Sequence, residues 1–181
     1  MNKSQIRNKI TKIRKKKFDK DLNIDLGKFI SFLKIDKLSV KSIGGYYPSN
    51  YEIDDLDILD LLEKKNFQIS LPIIKKNNQM NFYSWSRNDP LKINKFGIPE
   101  PVSNKVFYPD ILLIPLVAYD SNLNRLGYGG GYYDRYIQKI EKIKKVTKIG
   151  LAFSFQKIPS LPINQYDKRL DYIVTENEIL R

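Results

Sequence analysis

Eleven consecutive residues, Arg125-Leu126-Gly127-Tyr128-Gly129-Gly130-Gly131-Tyr132-Tyr133-Asp134-Arg135, concentrate the chemistry of this 181-residue chain. Four of its nine glycines fall within five positions there. Glycines so crowded imply backbone in the positive-φ region or a ligand that approaches the main chain closely. Ahead of an expected helix, their free amides and the dipole behind them form an anion site suited to phosphate groups. Arg125 and Arg135 are placed to add fixed positive charge at its edges, and Asp134 to hold a Mg²⁺ that bridges phosphate oxygens. The spacing is neither a P-loop nor a dinucleotide fingerprint, because no Gly-x₄-Gly-Lys-Ser/Thr occurs and position 132 is Tyr. A plainer alternative is a glycine-rich turn in which Tyr132 and Tyr133 pack into the core and Asp134 merely complements the helix dipole.

The available chemistry is narrowed by two absences, Cys and His. Without them there are no Cys/His zinc sites, no disulfides, no thiolate nucleophiles and no Ser-His-Asp arrangement. Reactions must then run on carboxylates, Lys, Arg, Tyr, Ser or Thr, on backbone amides, or on a hard metal ion. The net charge of +12 invites a nucleic-acid partner. However, residues 1–20 carry +8 of it and the other 161 residues only +4. Lys also dominates over Arg, whereas bidentate reading of bases or phosphates favours Arg. A specific nucleic-acid partner is therefore not expected.

These residues need a scaffold to position them. Ile6, Ile10, Ile13 and Phe18 fall at helical spacing in the basic segment, which leaves its Lys and Arg residues on a solvated face. A second helix is predicted over 21–35, with Leu22, Leu26, Phe29, Ile30 and Leu33 on its apolar side. A strand over 39–47 runs into a helix over 54–65, and strands over 68–74 and 80–85 flank a polar turn at 75–79. Strand, helix, strand implies a crossover and parallel pairing. Residues 86–109 contain Pro90, Pro99, Pro101 and Pro109 and read as a long irregular connection. The apolar run 110–115 fits a central strand buried on both faces. A turn over 120–124, a helix over 132–145 and strands over 148–153 and 171–175 complete the pattern. The expected architecture is a single α/β domain over 1–181, a three-layer α/β/α arrangement with a mostly parallel sheet. No run of 18 apolar residues occurs and the first residues lack the pattern of a secretory signal, so a cytoplasmic location is expected.

Pro109-Asp110-Ile111-Leu112-Leu113-Ile114-Pro115, followed by Val117-Ala118-Tyr119-Asp120 and the block 124–135, resembles the signature of the 5-formyltetrahydrofolate cyclo-ligase (5,10-methenyltetrahydrofolate synthetase) family. Lys3 with Arg7, Tyr46-Tyr47-Pro48 with Glu52, Leu71-Pro72, and Leu161-Pro162 followed by Asp167 and Asp171 extend the resemblance along most of the chain. It implies ATP- and Mg²⁺-dependent closure of 5-formyltetrahydrofolate to 5,10-methenyltetrahydrofolate, with release of ADP and phosphate after phosphorylation of the formyl oxygen. By the same resemblance Lys3, Arg7 and residues 125–133 bind ATP, Asp134 and Asp167 bind Mg²⁺, and Arg125, Tyr132 and Asp134 act in catalysis. Tyr47, Glu52 and residues 128–132 would line the folate pocket, with Glu52 accepting hydrogen bonds from the amino-pyrimidine end of the pterin. On its own Glu52 reads equally as a cap for the helix beginning near Asp54.

Two departures stand out: Leu116 where the family often has Gly, expected to reshape the pocket beside the glycine block, and Tyr166 where many members have His. Tyr128 and Gly130 stand where other members carry Arg and Lys. The expected partner is a reduced folate and the expected state a monomer, with no membrane contact. The competing readings are RNA or membrane-surface binding through the basic helix, and a Mg-ATP enzyme acting on another formyl or acyl substrate.

Overall fold

A computed structural model of the chain describes residues 1–19, 22–35 and 40–181. Helix α1 spans Lys3–Lys17. Asn2 starts it with a capping box: its side chain accepts from the Gln5 amide and the Gln5 side chain accepts from the Asn2 amide, both at 2.9 Å. Four basic residues, Arg14 to Lys17, oppose the dipole at its far end. Ile6 and Ile10 are buried against Val117, Ala118, Leu126 and Leu161, so α1 lies beside the segment that leads into the glycine block.

The solvated face expected of α1 holds for most of its lysines but not for Arg14, which is only 1% exposed. Arg14 continues the Ile6, Ile10 stripe by one more helical turn. Phe18 lies past the end of α1, with its exposed ring edge-on to Tyr51.

Helix α2 spans Leu26–Ile35, strand β1 Ser42–Gly44, helix α3 Leu56–Lys64, β2 Gln68–Ile74 and β3 Met80–Ser84. The expected starts of the second helix at 21 and of the first strand at 39 lie outside the described residues. β1 and β2 pair in parallel across α3, as strand, helix, strand requires. Residues 86–109 differ from the irregular connection expected. They hold a hairpin of β4 (Leu91–Ile93) and β5 (Pro99–Pro101), then β6 (Val106–Phe107). The hairpin closes because the Asn94 side chain accepts from the amides of Phe96 and Ile98 and Gly97 adopts φ +75°.

Strand β7 is Ile111–Pro115, followed by the short pair β8 (Ala118–Tyr119) and β9 (Arg125–Leu126), helix α4 (Tyr132–Ile140), β10 (Thr147–Leu151), β11 (Tyr172–Val174) and β12 (Ile179–Leu180). α4 stops short of the expected 145. The main sheet has eight strands in the order β12-β11-β10-β7-β1-β2-β3-β6. Its inner pairs β11/β10, β10/β7, β7/β1 and β1/β2 are parallel, and antiparallel strands flank them.

β7 shows why three layers form. Ile111 and Leu113 pack with Phe29, Leu59 and Leu62 of α2 and α3, while Leu112 and Ile114 pack with Tyr136, Ile137 and Ile140 of α4. Alternation along the strand supplies both faces. The crossover from β1 uses α3 on one face, and that from β7 uses α4 on the other. The carboxyl ends of these two neighbouring strands therefore mark a topological switch point, where open sheets place ligands.

Candidate active site

The loop leaving β1 is built around buried hydrogen bonds. The Tyr46 hydroxyl donates to the Ile53 carbonyl at 2.8 Å and its amide to Asp55 Oδ2 at 3.0 Å. Asp55, wholly buried at the start of α3, has its carboxyl pushed well up from the ordinary value by burial. Asp55 is the N-cap of α3, and Asp54 just before it accepts from the Leu56 amide of the first turn. The capping alternative for Glu52 is thus not realised. Its Oε2 instead accepts from the Ser49 amide at 2.7 Å and Ser49 Oγ at 3.2 Å, closing a turn in which Asn50 and Tyr51 have positive φ. Burial raises the Glu52 carboxyl, and the Ser49 amide, Arg14 and the Tyr128 hydroxyl draw it back.

The glycine block is held from several elements. The Val117 amide donates to the Leu126 carbonyl at 2.7 Å, and Asp120 ties the preceding turn together by accepting from the amides of Asn122, Asn124 and Leu161. Gly129 has φ +101° and Gly131, the N-cap of α4, φ +66°, so both lie where side chains are strained. A Cβ on Gly129 would also stand 3.2 Å from the Arg7 guanidinium carbon. Arg7 Nε donates to the Gly127 carbonyl at 2.7 Å, which places its positive charge over the block. Among the described residues the amides of Gly129, Gly130 and Gly131 donate no hydrogen bond, and all three residues line the cavity.

The two arginines flanking the block behave differently from free edge charges. Arg125, with a side chain only 4% exposed, pairs with Asp134 Oδ1 at 2.6 Å, and its guanidinium lies 5.7 Å from the Tyr133 ring centroid. Arg135 donates to the Gly130 and Asn78 carbonyls and so braces the block. Tyr132 and Tyr133 do pack against the core, as the plainer reading has it, yet both also face the cavity.

Asp134 additionally accepts from the Lys168 amide at 3.1 Å, which joins it to the loop carrying Asp167. Asp167 pairs with Lys3 Nζ and accepts from the Asn164 amide. No cluster of three or more metal-ligating side chains occurs among the described residues. Two carboxylates joined through adjacent residues beside the glycine block nonetheless fit the donor set of Mg²⁺, which takes one or two carboxylates and completes its shell with other oxygens and water.

Every residue that the family resemblance assigns to ATP, folate or Mg²⁺ lines one cavity of about 1440 Å³: Lys3, Arg7, Tyr47, Glu52, residues 125–133, Asp134 and Asp167. The hairpin β4–β5 also contributes, with Asn94 and Phe96 in the lining and the Phe96 ring edge-on to Tyr132. Its signal, a short Asn-to-Gly turn between apolar residues, was masked by the surrounding prolines. Trp85 and Tyr83 belong to the interior. Leu116 is not in the cavity lining: it is buried against Gly150, and its carbonyl accepts from Arg14 and Gln156. Tyr166 lies exposed at the cavity rim.

The sequence model of the 5-formyltetrahydrofolate cyclo-ligase family matches residues 1–176. A 5-formyltetrahydrofolate cyclo-ligase of Haemophilus influenzae is 34% identical over 140 residues, 74% of this chain and 74% of the relative. Among solved structures, the 5,10-methenyltetrahydrofolate synthetase of Aquifex aeolicus superposes with a TM-score of 0.80 at 32% identity, covering 100% of this chain and 93% of that one. The Mycoplasma pneumoniae 5,10-methenyltetrahydrofolate synthetase gives 0.74 at 27% identity, covering 97% and 99%. Sequence, fold and cavity agree that the chain belongs to the 5-formyltetrahydrofolate cyclo-ligase family.

Proposed function

We propose that the chain converts 5-formyltetrahydrofolate to 5,10-methenyltetrahydrofolate with cleavage of ATP to ADP and phosphate, as a cytoplasmic monomer of one domain. The observation that carries the reading is the meeting, in one cavity, of free glycine amides under Arg7 with a buried carboxylate acceptor, Glu52. The amides of residues 129–131 and Arg7 would hold the triphosphate, with Lys3 beside them. Glu52 would accept the N–H groups of the pterin, with Tyr47 and Tyr128 along the same wall. Asp134 and Asp167 would hold Mg²⁺, whose chemistry is to neutralise charge on the phosphate oxygens. Arg125 fixes the Asp134 carboxylate, and Tyr132 sets the cavity wall opposite Phe96.

The formyl oxygen attacks the γ-phosphorus and ADP leaves. N10 then attacks the activated carbon, its proton is lost, and the C–O bond breaks to release inorganic phosphate and the closed ring. Phosphoryl transfer of this kind rests on alignment and charge stabilisation, which suits a site without His or Cys. Purified protein given 5-formyltetrahydrofolate and Mg-ATP is expected to develop the near-ultraviolet absorbance of the methenyl product, and none without ATP. A folded protein that binds ATP yet gives no absorbance rise would point to another formyl or acyl substrate.

A further inference from the structure

Helical spacing carries Arg14 inward behind Ile6 and Ile10, where a guanidinium with five donors and a permanent charge is costly unless both are met. Its Nη1 donates to the Leu116 carbonyl at 3.2 Å, its Nη2 donates to the Tyr128 hydroxyl, and its Nε has no partner among the described residues. No carboxylate there lies within ion-pairing distance of it. An arginine buried for structure alone is ordinarily paired directly with a carboxylate. Here a hydroxyl stands between the guanidinium and the acid that feels its charge, Glu52. Tyr128 accepts from Arg14, so its own proton is turned away from the guanidinium, and Tyr128 lines the same cavity as Glu52.

We propose that Arg14 is a positioning residue for the folate end of the cavity, fixing the Tyr128 hydroxyl and the Glu52 carboxylate as one oriented acceptor for the pterin N–H groups. The proposal rests on the reading of Glu52 given above. A carboxylate offers about four acceptor positions. Ser49 takes two, which leaves positions for the Tyr128 hydroxyl and for the ligand. A protonated Glu52 would instead turn a donor towards donors. Burial pushes Glu52 in that direction, and the groups facing it are Arg14 from α1, Tyr128 from the glycine block, Tyr46 from the loop after β1, Asp55 from the start of α3 and Tyr133 from the start of α4. Burial favours the neutral forms of Tyr46, Asp55 and Tyr133, so Arg14 is the cation in the set.

The test is the pH dependence of kcat/KM for 5-formyltetrahydrofolate in wild type, Arg14→Met, Arg14→Lys, Tyr128→Phe and Glu52→Gln, with the KM for ATP measured alongside. Arg14→Met is expected to raise the folate KM by about tenfold, to leave the ATP KM within about twofold, and to move the acid limb to higher pH. Arg14→Lys, which keeps the charge, should return the limb most of the way to its wild-type position. Tyr128→Phe, which removes only an oxygen and leaves the Arg14 charge in place, should reproduce the rise in folate KM and move the acid limb in the same direction by less, and it keeps the test open if Arg14→Met does not fold. An unmoved limb and unchanged folate KM in Arg14→Met and Tyr128→Phe, with Glu52→Gln still raising the folate KM, would overturn the role of Arg14 alone. An unchanged folate KM in Glu52→Gln would overturn the reading of Glu52 and this proposal with it.

Discussion

Asp134 is held between the Arg125 guanidinium and the Lys168 amide, so its carboxylate is oriented before any ligand arrives. Such preorganised charge is where phosphoryl-transfer sites gain most. Asp134→Asn keeps an acceptor for both partners but loses the charge. It is expected to lower kcat by about a hundredfold, with a melting temperature lowered by only about 2–4 °C, since Asp134 is a quarter exposed and the pair is partly screened. Steady-state kinetics and thermal unfolding on one preparation check both halves. Wild-type turnover in the variant would remove Asp134 from the mechanism.

At this scale the candidate site was partly legible. Arg125 and Asp134 announce themselves because they bracket the glycines, and Glu52 because it follows a strand and precedes a helix. Arg14 does not, because helical periodicity is read from apolar residues. A charged residue one turn beyond Ile10 is assigned to solvent, and only the hydroxyl of Tyr128 and the Leu116 carbonyl, both remote in sequence, bring it inside.

The element proposed to hold the triphosphate is the junction of β9, the glycine block and α4. Its shape depends on positive φ at Gly129 and Gly131, with Arg7 from α1 packed over the first of these. Gly129→Ala adds a Cβ in a region that disfavours it, at about 1–2 kcal/mol, and crowds Arg7. The expected result is an ATP KM raised by about tenfold and a folate KM changed far less, measured by titrating each substrate at saturating levels of the other. Equal effects on both would mean that the block does not serve ATP separately. The crossover β1–α3–β2 and the central β7 were legible because periodicity and an apolar run specify them locally. The hairpin β4–β5 was not, because Pro90, Pro99 and Pro101 argue against strands, whereas these short strands form a small pair outside the main sheet that proline tolerates.

Across the whole molecule, the charge that suggested nucleic acid resolves into parts with different roles. Lys3 and Arg7 reach the cavity, Arg14 lies behind its wall, and the remaining lysines of α1 stay in solvent. No helix among the described residues is long and apolar enough to cross a membrane. The sheet brings the loop after β1 and the block after β9 to a shared edge, where both line the one cavity proposed to seat a folate against a triphosphate. The central claim is that the formyl oxygen receives the phosphoryl group there, which one isotope measurement tests. With the formyl oxygen isotopically labelled, the label is predicted to appear in inorganic phosphate, one labelled oxygen for each methenyl ring closed. Unlabelled phosphate, with the label released as water, would contradict the account.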